Sequence, residues 1–584
     1  MSSEEKKVPT APPPPPAGGP AKAAPKNPGF VTCTVDGTEI VVKPGINMIE
    51  AAKLAGVEIP YYCYHPRLSI AANCRMCLVE VSNSPKLVPA CQTSLAEGVA
   101  IKTTTKKVKD EQRSVMEFLL LNHPVDCAIC DQAGECKLQD YFMRYDFRAS
   151  RLTGGKVLKE KRKRLGPDVI LDQERCILCT RCVRFMAEVP KQPQLGVFGR
   201  GSHEVIDTFP GEVLNSNYSV NTVDLCPVGA LTQDDFRFRA RSWFLSAAPS
   251  VCTGCSRGCN TYADFFAQDT YRYRPRENEQ INKSWLCDHG RKTYKYLNEN
   301  RPLKASVGRS PGTLTATTAE AAEAVAARLK GQSGKVSVLV SPLCSNEDLL
   351  AALSFAKIAL GATSVFVGGR PDGEADQLLL TADRNPNRKG LLVIANALGL
   401  SVQPFDELLK GIDGGQVKSL FAIGTEVPTD PALFASAASG LDSFVALSFN
   451  SSAVTEQAHV VMGACVHLED EGTFTQTDGI IQRYRRAYPA KGEIQPIWKW
   501  ISQLSASFGL ATSYGSSREV WKALAPAVPE LAQFNWDKMA PIARKRPGAG
   551  INPLPTGADG RPPGFREYDS KPEQDALHIK GVSR

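Results

Sequence analysis

The 584-residue sequence has no uninterrupted apolar stretch of 18 or more residues, so we expect no membrane-spanning helix. Its first residues, Met1–Lys7, lack the apolar segment of a secretory signal peptide, and their glutamates are untypical of a mitochondrial transit peptide. We therefore expect the chain to stay in the compartment where it is made. The formal net charge of +8 is small for this length, which argues against nucleic acid as a partner.

Cysteine, by contrast, is plentiful. The chain has 18 cysteines and no secretion signal, which favours metal or redox chemistry over a disulfide framework. Sixteen of them lie between Cys33 and Cys287, and only Cys344 and Cys465 follow. The hydrophobic content of 42% and the charged content of 22% are typical of a globular protein. The length predicts about three to five domains.

The amino-terminal pattern predicts a small mixed domain behind a tail. Residues 1–28 are rich in Pro and Ala and are expected to be disordered or extended. Two β-like runs, Val31–Val35 and Thr38–Val42, flank the turn signal Asp36-Gly37. A short amphipathic helix, Ile46–Ala55, follows, with Gly56 at its C′ position. This order, followed by a cysteine-bearing loop, is the opening expected of a β-grasp ferredoxin.

The rest of the chain divides into a loop-rich part and an α/β part. A helix is predicted over Thr105–Leu121, and loops carry most cysteines between Ala128 and Ala248. After about Leu303, helices and short apolar strands alternate, which indicates a largely parallel sheet. The predicted helices are Ala319–Leu329 and Asn346–Leu360, and the predicted strands are Val336–Val340, Val365–Val367, Ser419–Ile423 and Val445–Phe449. From Arg544 onward the composition predicts a segment that is mobile or wraps a partner.

The first set of cysteines is Cys63, Cys74, Cys77 and Cys91, spaced Cys-x10-Cys-x2-Cys-x13-Cys. A two-iron cluster needs four thiolates that converge from a loop, with a distant fourth ligand. A four-cysteine zinc site is the alternative. The preceding β-grasp pattern favours the cluster.

The second set is His123, Cys127, Cys130 and Cys136, spaced His-x3-Cys-x2-Cys-x5-Cys. Three thiols can hold three corners of a four-iron cubane, and a neutral imidazole can supply the fourth. The alternative is that His123 simply ends the helix before Pro124. Ligation is favoured because the three cysteines lack a nearby fourth thiol.

The third set is Cys176, Cys179 and Cys182, with Cys226-Pro227 after 43 further residues. Cys-x2-Cys-x2-Cys with a Cys-Pro is the signature of bacterial four-iron ferredoxins, here with the fourth ligand displaced by an insertion. It is the most specific signal in the chain.

The fourth set is Cys252, Cys255 and Cys259, spaced Cys-x2-Cys-x3-Cys, with Cys287 after 27 residues. Four thiolates suit a cubane or a zinc ion, and the presence of three other cluster motifs favours the cubane. Of the cysteines outside the sets, Cys33 and Cys465 are interpreted as buried structural thiols.

These motifs resemble the family of the large iron–sulfur subunit (G type, 75 kDa type) of respiratory complex I, NADH:quinone oxidoreductase. The resemblance covers roughly residues 30–490. It is carried by Cys74–Glu80, His123–Cys136, Cys176–Arg184, Val197–Gly201, Asn221–Thr232, Trp285–Arg291 and Glu471–Gln482. The last of these is similar to a motif of molybdopterin oxidoreductases.

The resemblance implies a multidomain α+β and α/β fold with distinct boundaries. Expected are a tail (1–28), a β-grasp 2Fe-2S ferredoxin domain (29–105), a 4Fe-4S domain with one His and three Cys ligands (106–147), a 4Fe-4S ferredoxin-like domain (148–247), a 4Fe-4S molybdopterin-oxidoreductase-type domain (248–304), a molybdopterin-oxidoreductase-like α/β domain without metal (305–543) and an extended tail (544–584).

The resemblance also implies an electron relay with one 2Fe-2S and three 4Fe-4S clusters, no molybdopterin and no catalytic residue on this chain. Electrons from NADH would arrive through a flavin-bearing partner subunit at the Cys63 set, then pass to the Cys176 set and the His123 set. They would leave toward quinone-proximal iron–sulfur subunits, and the fourth cluster would lie off this route. The implied location is peripheral, on the cytoplasmic side of a bacterial inner membrane.

Three alternatives follow from the same residues. Certain formate dehydrogenases share the layout, but Leu360–Arg370, where their metal ligand belongs, contains neither Cys nor His, and Cys344 lies upstream of that position. A zinc-stabilised scaffold without redox activity is the second alternative. An iron-only hydrogenase is disfavoured because later cysteine motifs are missing. The basic run Arg151–Arg164, with seven positive residues against Glu160, is interpreted as a solvated loop or a partner contact.

Overall fold

A computed structural model of the chain describes residues 29–146 and 148–539, and these residues form two compact units. The first unit holds residues up to Tyr61 and Ala72–Val115, and the second holds Tyr62–Ala71 and most of the chain from Met116 onward. The predictions for residues 1–28 and 544–584 fall outside the described residues. None of the helices in the described ranges is long and apolar enough to cross a membrane.

The first unit contains a five-stranded sheet in the order β2-β1-β5-β3-β4. Strands β1 and β5 are parallel, and the other neighbouring pairs are antiparallel. Its elements are β1 (Val31–Val35), β2 (Thr38–Val42), α1 (Met48–Leu54), β3 (Leu78–Val81), β4 (Val88–Pro89) and β5 (Ala100–Lys102), and α2 (Lys106–Asn122) follows.

Local signals explain why these elements form where they do. The predicted bounds of β1 and β2 are confirmed, with Gly37 at φ 91° in the turn between them. Helix α1 begins later than predicted because the Asn47 side chain accepts a hydrogen bond from the Glu50 N–H and so caps the helix. Gly56 follows the helix with φ 74°, as expected of a C′ glycine.

The cysteine-rich part of the second unit is built from short elements. Strand β7 lies between β10 and β6 in one small antiparallel sheet, β8 pairs with β9, and β11-β12-β13 form an antiparallel sheet. The bounds are α3 (Lys137–Tyr141), β6 (Lys163–Arg164), β7 (Val169–Leu171), α4 (Arg181–Glu188), β8 (Leu195–Phe198), β9 (Val205–Thr208), α5 (Asn221–Leu225), β10 (Leu231–Gln233), β11 (Ser246–Val251), β12 (Asn260–Phe266), β13 (Asp269–Pro275) and α6 (Asp288–Lys292).

The carboxyl-terminal part is an eight-stranded sheet with helices around it. The strand order is β15-β14-β21-β20-β19-β16-β17-β18, and the six strands from β21 to β18 pair in parallel. The strands are β14 (Ala305–Val307), β15 (Leu314–Ala316), β16 (Val336–Val340), β17 (Ser364–Val367), β18 (Ser401–Gln403), β19 (Ser419–Ile423), β20 (Ser443–Ser448) and β21 (Val460–Gly463). The predicted α/β units with a largely parallel sheet are confirmed.

Helices and one hairpin complete this part of the chain. The helices are α7 (Thr318–Leu329), α8 (Asn346–Ala359), α9 (Arg388–Ala397), α10 (Phe405–Asp413), α11 (Pro431–Ala438), α12 (Ala453–Glu456), α13 (Ile497–Ser507), α14 (Ser517–Leu524) and α15 (Pro529–Ala532). The hairpin strands are β22 (Gly472–Thr475) and β23 (Ile481–Tyr484). Helix α8 is buried along most of its length and packs against α9, α13 and α14.

A buried polar network joins β22 to the start of α8. The Glu347 carboxylate accepts hydrogen bonds from the N–H and the hydroxyl of Thr473, both at 2.7 Å. The Asn346 amide donates to Thr473 and Thr475, and the Thr475 N–H donates to Asn387. A Cβ at Gly472 would lie 2.8 Å from a Glu347 oxygen, so only glycine fits there. These contacts fix β22, in the segment Glu471–Gln482, against the start of α8.

A buried ion pair anchors the start of the α/β part. The Arg301 guanidinium lies 2.7 Å from the Glu469 carboxylate, and both side chains are at most 2% exposed. Removing one partner of such a pair leaves a buried charge.

We expect Glu469→Ala to lower the free energy of unfolding by about 3–5 kcal/mol, measured from the urea midpoint of tryptophan fluorescence. The matched control is Glu493→Ala, which removes the exposed pair with Lys304 and should cost under about 1 kcal/mol. Equal shifts in the two variants would contradict the expectation.

The network around Glu347 predicts a pH dependence. Burial raises the pKa of Glu347 from 4.5 to about 8, and the hydrogen bonds from Thr473 oppose this rise. The folded state therefore keeps a proton that the unfolded chain loses, so stability falls as the pH rises from about 4.5 to 8. We expect Glu347→Gln, which stays neutral, to weaken this fall in urea midpoints measured across that range. The exposed Glu323→Gln variant should keep the wild-type slope, and an unchanged slope in Glu347→Gln would refute the assignment.

Candidate metal centres

The four cysteines of the third set line one small cavity of about 20 Å³. Cys176 and Cys179 lie in the loop before α4, Cys182 lies in α4, and Cys226 follows α5. Leu178 and Thr180 have positive φ angles of 54° and 59°, which turn loop N–H groups inward. The Leu178 N–H, for example, donates to the Cys176 sulfur at 3.4 Å. The third set is thus brought together as the sequence predicts.

The second set lines a larger cavity of about 370 Å³, which His123, Cys127, Cys130 and Cys136 all face. His123 directly follows α2, Cys127 begins a short 3₁₀ turn, and Cys136 precedes α3. Apolar side chains, including Leu138, supply much of the wall.

His123 has the chemistry of a neutral ligand. Burial lowers the pKa of His123 from 6.5 to about 4, and the cations Arg175, Lys156 and Lys161 add to this effect against Asp126. Its Nδ1 atom is buried and accepts or donates no hydrogen bond within the described residues. A buried neutral imidazole with an unused nitrogen fits a corner of an iron–sulfur cluster.

The fourth set is fully buried at the end of a hairpin. Cys252 and Cys259 close the β11–β12 turn, where the Cys252 N–H donates to the Cys259 carbonyl at 2.8 Å. Cys287 caps α6, and its sulfur accepts from the Gly290 N–H at 3.2 Å. A Cβ at Gly290 would lie 2.8 Å from the Cys252 sulfur and 3.2 Å from the Cys287 sulfur. Cys255 is also buried, and its negative charge contributes to raising the pKa of Cys287, for which burial is the main cause.

The first set is divided between the two compact units. Cys74, Cys77 and Cys91 belong to the first unit, and Cys63 belongs to the segment Tyr62–Ala71 of the second. Within the first unit, the antiparallel pairing of β3 with β4 puts Cys77 and Cys91 at the same end of the two strands.

The electrostatics of the buried sulfurs fit bound iron. Burial raises the pKa of the Cys176 and Cys252 thiols to about 12 and that of Cys226 to about 11. A thiolate in these places therefore needs a cation beside it, which iron supplies. N–H groups that point toward the sulfurs reduce the remaining free-energy cost of burying a thiolate.

In the described ranges, no group of three or more His, Cys, Asp or Glu side chains has the arrangement that holds a single metal ion.

The loops of the second and third sets are in direct contact. The Arg175 guanidinium, next to Cys176, donates to both carboxylate oxygens of Asp126, next to Cys127, at 3.1 and 2.7 Å. A Cβ at Gly229 would lie only 2.2 Å from the Cys130 sulfur. Motif spacing gave no signal for Arg175 or Gly229 as site residues, although each lies within a few residues of a predicted ligand.

The basic run Arg151–Arg164 is tied into the fold. Six of its seven positive side chains bind groups of the same chain, although Arg151, Lys161 and Arg164 stay exposed, so the run is a solvated loop that is also tied into the fold. Lys156 donates to the Leu120 and Leu121 carbonyls and Lys159 to the Glu204 carbonyl, while Arg151 pairs with Glu117, Lys161 with Asp126 and Glu174, Lys163 with Asp207, and Arg164 with Asp234. The run braces the ends of α2 and the loops of the second and third sets.

Family models match four segments of the chain. Residues 30–106 match a 2Fe-2S iron-sulfur cluster binding domain, and residues 112–151 match the NADH-ubiquinone oxidoreductase-G iron-sulfur binding region. Residues 166–232 match the ferredoxin-like domain of NADH-quinone oxidoreductase subunit 3, and residues 387–507 match molybdopterin oxidoreductase. These segments contain the first, second and third sets, and the fold is accordingly a mixed α/β multidomain one with cluster-binding and molybdopterin-oxidoreductase-like domains.

Curated relatives agree with these matches. The chain is 38% identical over 352 residues to the G-type subunit of NADH-quinone oxidoreductase from Streptomyces coelicolor, covering 60% of this chain and 42% of that protein. It is 40% identical over 366 residues to the NADH-ubiquinone oxidoreductase 75 kDa subunit of Reclinomonas americana, covering 61% and 53%. It is 39% identical over 353 residues to NADH dehydrogenase [ubiquinone] iron-sulfur protein 1, mitochondrial, of Solanum tuberosum, covering 60% and 48%.

The chain spans about half the length of the curated relatives it matches. Among solved structures, a chain of an NAD+-reducing [NiFe]-hydrogenase in the H2-reduced state matches 36% of this chain and 90% of its own length, with 27% identity and a TM-score of 0.33. The names of the curated relatives do not favour the formate dehydrogenase alternative. Over the matched residues, the chain is thus similar to the large iron–sulfur subunit, G type or 75 kDa type, of NADH-quinone oxidoreductase.

Proposed function

We propose that this chain is the iron–sulfur electron relay of an NADH:quinone oxidoreductase. It receives electrons from a flavin-bearing, NADH-oxidising subunit and passes them toward quinone-proximal iron–sulfur subunits. The observation that carries the proposal is the position of the third set, which adjoins Cys63 of the first set and Cys130 of the second. The chain itself has no catalytic residue, because its role is to hold and space redox centres.

Contact between the third and second sets supports one step of the route. The backbone at Gly229, three residues after Cys226, lies against the Cys130 sulfur with no space for a side chain. The Arg175–Asp126 pair holds the two loops at this distance. Electron tunnelling slows steeply with distance, so this close approach favours transfer between the two sites.

Proximity of Cys63 to the third set supports the step before it. Burial is the main cause that raises the pKa of Cys179, and the negative charge of Cys63 adds to it. The Arg184 Nη2 atom donates to the Cys63 carbonyl at 2.5 Å and to the Cys179 carbonyl at 3.3 Å, so Cys63 lies beside the Cys179 loop. The proposed order is therefore the Cys63 set, the Cys176 set and the His123 set, with the fourth set off the route.

The proposed ligands are those of the four sets. One 2Fe-2S cluster is assigned to Cys63, Cys74, Cys77 and Cys91, and three 4Fe-4S clusters are assigned to His123, Cys127, Cys130 and Cys136, to Cys176, Cys179, Cys182 and Cys226, and to Cys252, Cys255, Cys259 and Cys287. Bound clusters of these types accept and release single electrons. The residues contribute thiolates, one neutral imidazole, burial and inward N–H groups, which together set the potentials.

The finer fold assignments rest on the same reasoning. The mixed sheet β2-β1-β5-β3-β4 supports a β-grasp ferredoxin domain over 29–105, followed by the cluster domains 106–147, 148–247 and 248–304. The domain from 305 onward is proposed to have kept the molybdopterin-oxidoreductase fold without its metal. In support, Cys344 is fully buried with its thiol directed at the Ile423 carbonyl, and the network of Glu347 and Thr473 fills the neighbouring interior. The proposed location is peripheral, on the cytoplasmic side of a bacterial inner membrane.

Metal and sulfide analysis of anaerobically purified protein tests the proposal. We expect about 14 irons per chain with matching acid-labile sulfide, no molybdenum or tungsten, and EPR signals of reduced two-iron and four-iron centres at low temperature. Stoichiometric molybdenum or tungsten would instead indicate a formate-dehydrogenase-like enzyme. Zinc in place of iron would refute the relay.

A glycine substitution tests the contact between the second and third sets. Gly229→Ala places a methyl group within 2.2 Å of the Cys130 sulfur, so we expect it to displace this ligand and remove about 4 irons per chain. Gly154→Ala is the control, because its Cβ meets nothing within 4 Å. Iron content and EPR at the second site provide the measurement. Full iron occupancy with an unchanged spectrum in Gly229→Ala would contradict the close approach.

A further inference from the structure

Arg184 lies on α4 and binds both the first-set and the third-set backbone. We propose that Arg184 is a positioning residue that fixes the distance between Cys63 and the Cys179 loop and thereby sets the rate of electron transfer between these sites. The inference rests on the proposed relay and adds a specific residue to it.

The contacts of Arg184 connect two ligand segments directly. One guanidinium nitrogen, Nη2, donates to the Cys63 carbonyl at 2.5 Å and to the Cys179 carbonyl at 3.3 Å. The other, Nη1, donates to the Ser69 carbonyl, and Nε donates to the Thr180 hydroxyl at 3.3 Å. A single planar fork therefore holds a ligand residue of each site, which gives a hydrogen-bonded path between them.

The neighbouring arginine on the same helix reinforces this arrangement. Arg181, 2% exposed, donates to the Tyr64 carbonyl and, at 3.1 Å, to the Leu225 carbonyl beside Cys226. Residues three apart share a helix face, so Arg181 and Arg184 both bind the segment from Cys63 to Ser69. Glu188 on α4 accepts from both the N–H and the hydroxyl of Ser69.

The far side of the segment is also fixed. Arg67 donates to the Ser284 hydroxyl at 2.7 Å and pairs with Glu277 and Glu279. The segment is therefore clamped between α4 and the loop that leads to Cys287. Its position relative to the third set is determined by side-chain contacts and not by the chain connection alone.

The charge of Arg184 has a second consequence. One electron moves from the centre held by the first set to the centre held by the third set, with no bond made or broken and no proton moved. The reduced third-set centre carries one more negative charge, which a guanidinium at the Cys179 carbonyl stabilises. Loss of the cation should lower the midpoint potential of this centre, whereas loss of the fork alone should not.

Two substitutions separate position from charge. Arg184→Gln removes the charge and the fork, and Arg184→Lys keeps the charge but has a single nitrogen, which cannot serve all four acceptors that the three guanidinium nitrogens bind. Arg200→Gln, an exposed arginine between β8 and β9, is the control. Each variant is prepared in the full chain within the assembled complex. Iron content, redox titration monitored by EPR, and freeze-quench EPR after mixing with NADH are measured.

We expect Arg184→Lys to keep its full iron content and a near-wild-type midpoint potential of the third-set centre. Reduction of the third-set centre should be about tenfold slower than in the wild type, while reduction of the first-set centre is unchanged. Arg184→Gln should show the slower step and a lower potential, and Arg200→Gln should show neither change. Wild-type rates in Arg184→Lys would overturn the inference while leaving the relay intact, even if Arg184→Gln loses iron. Absence of iron from the wild-type chain would overturn the proposed function, an outcome distinct from any effect of Arg184.

Discussion

The burial of cysteine sulfurs in groups is the constraint on which the cysteine-rich half of the chain depends. Burial raises the pKa of thiols such as Cys176 and Cys226 so far that thiolates there require a cation and inward N–H groups. Long helices and broad sheets cannot wrap a cluster from several sides. The cysteine loops of the second, third and fourth sets are therefore built mostly from short elements and from residues with positive φ, such as Leu178 and Thr180, although His123 follows the long helix α2.

The carboxyl-terminal part, unlike the cysteine-rich half, is organised around buried apolar strands. Its parallel strands β16, β19 and β20 are almost wholly apolar, and their fold follows from hydrophobic burial. Several of its interior polar groups are paired with one another, as in the bonds between Glu347 and Thr473 and the Arg301–Glu469 pair. These pairs offset the free-energy cost of burying polar and charged groups.

Periodicity and turn chemistry predicted most of the fold because those signals are local. Strands such as Val336–Val340 and Ser419–Ile423 have the predicted bounds, whereas α1 begins later because Asn47 caps it. Spacing grouped the members of the second and third sets, and the structure brings each of these two sets to one cavity. The residues that connect neighbouring sets could not be predicted from spacing. Arg184, for example, contacts Cys63 across 121 positions of the chain. The same reason explains the basic run, whose partners Asp207 and Asp234 are distant in sequence.

The elements that carry the third set also contact the loop of the second set and the segment of Cys63. Arg175 precedes its first cysteine and binds the loop of the second set, while Arg184 follows Cys182 by two residues and binds the segment of Cys63. A shift of this loop would therefore change both distances together. Arginine suits these positions because one planar fork satisfies two acceptors, which lysine cannot do in a fixed geometry. The spacing of the proposed relay thus depends on contacts made by one loop and one helix.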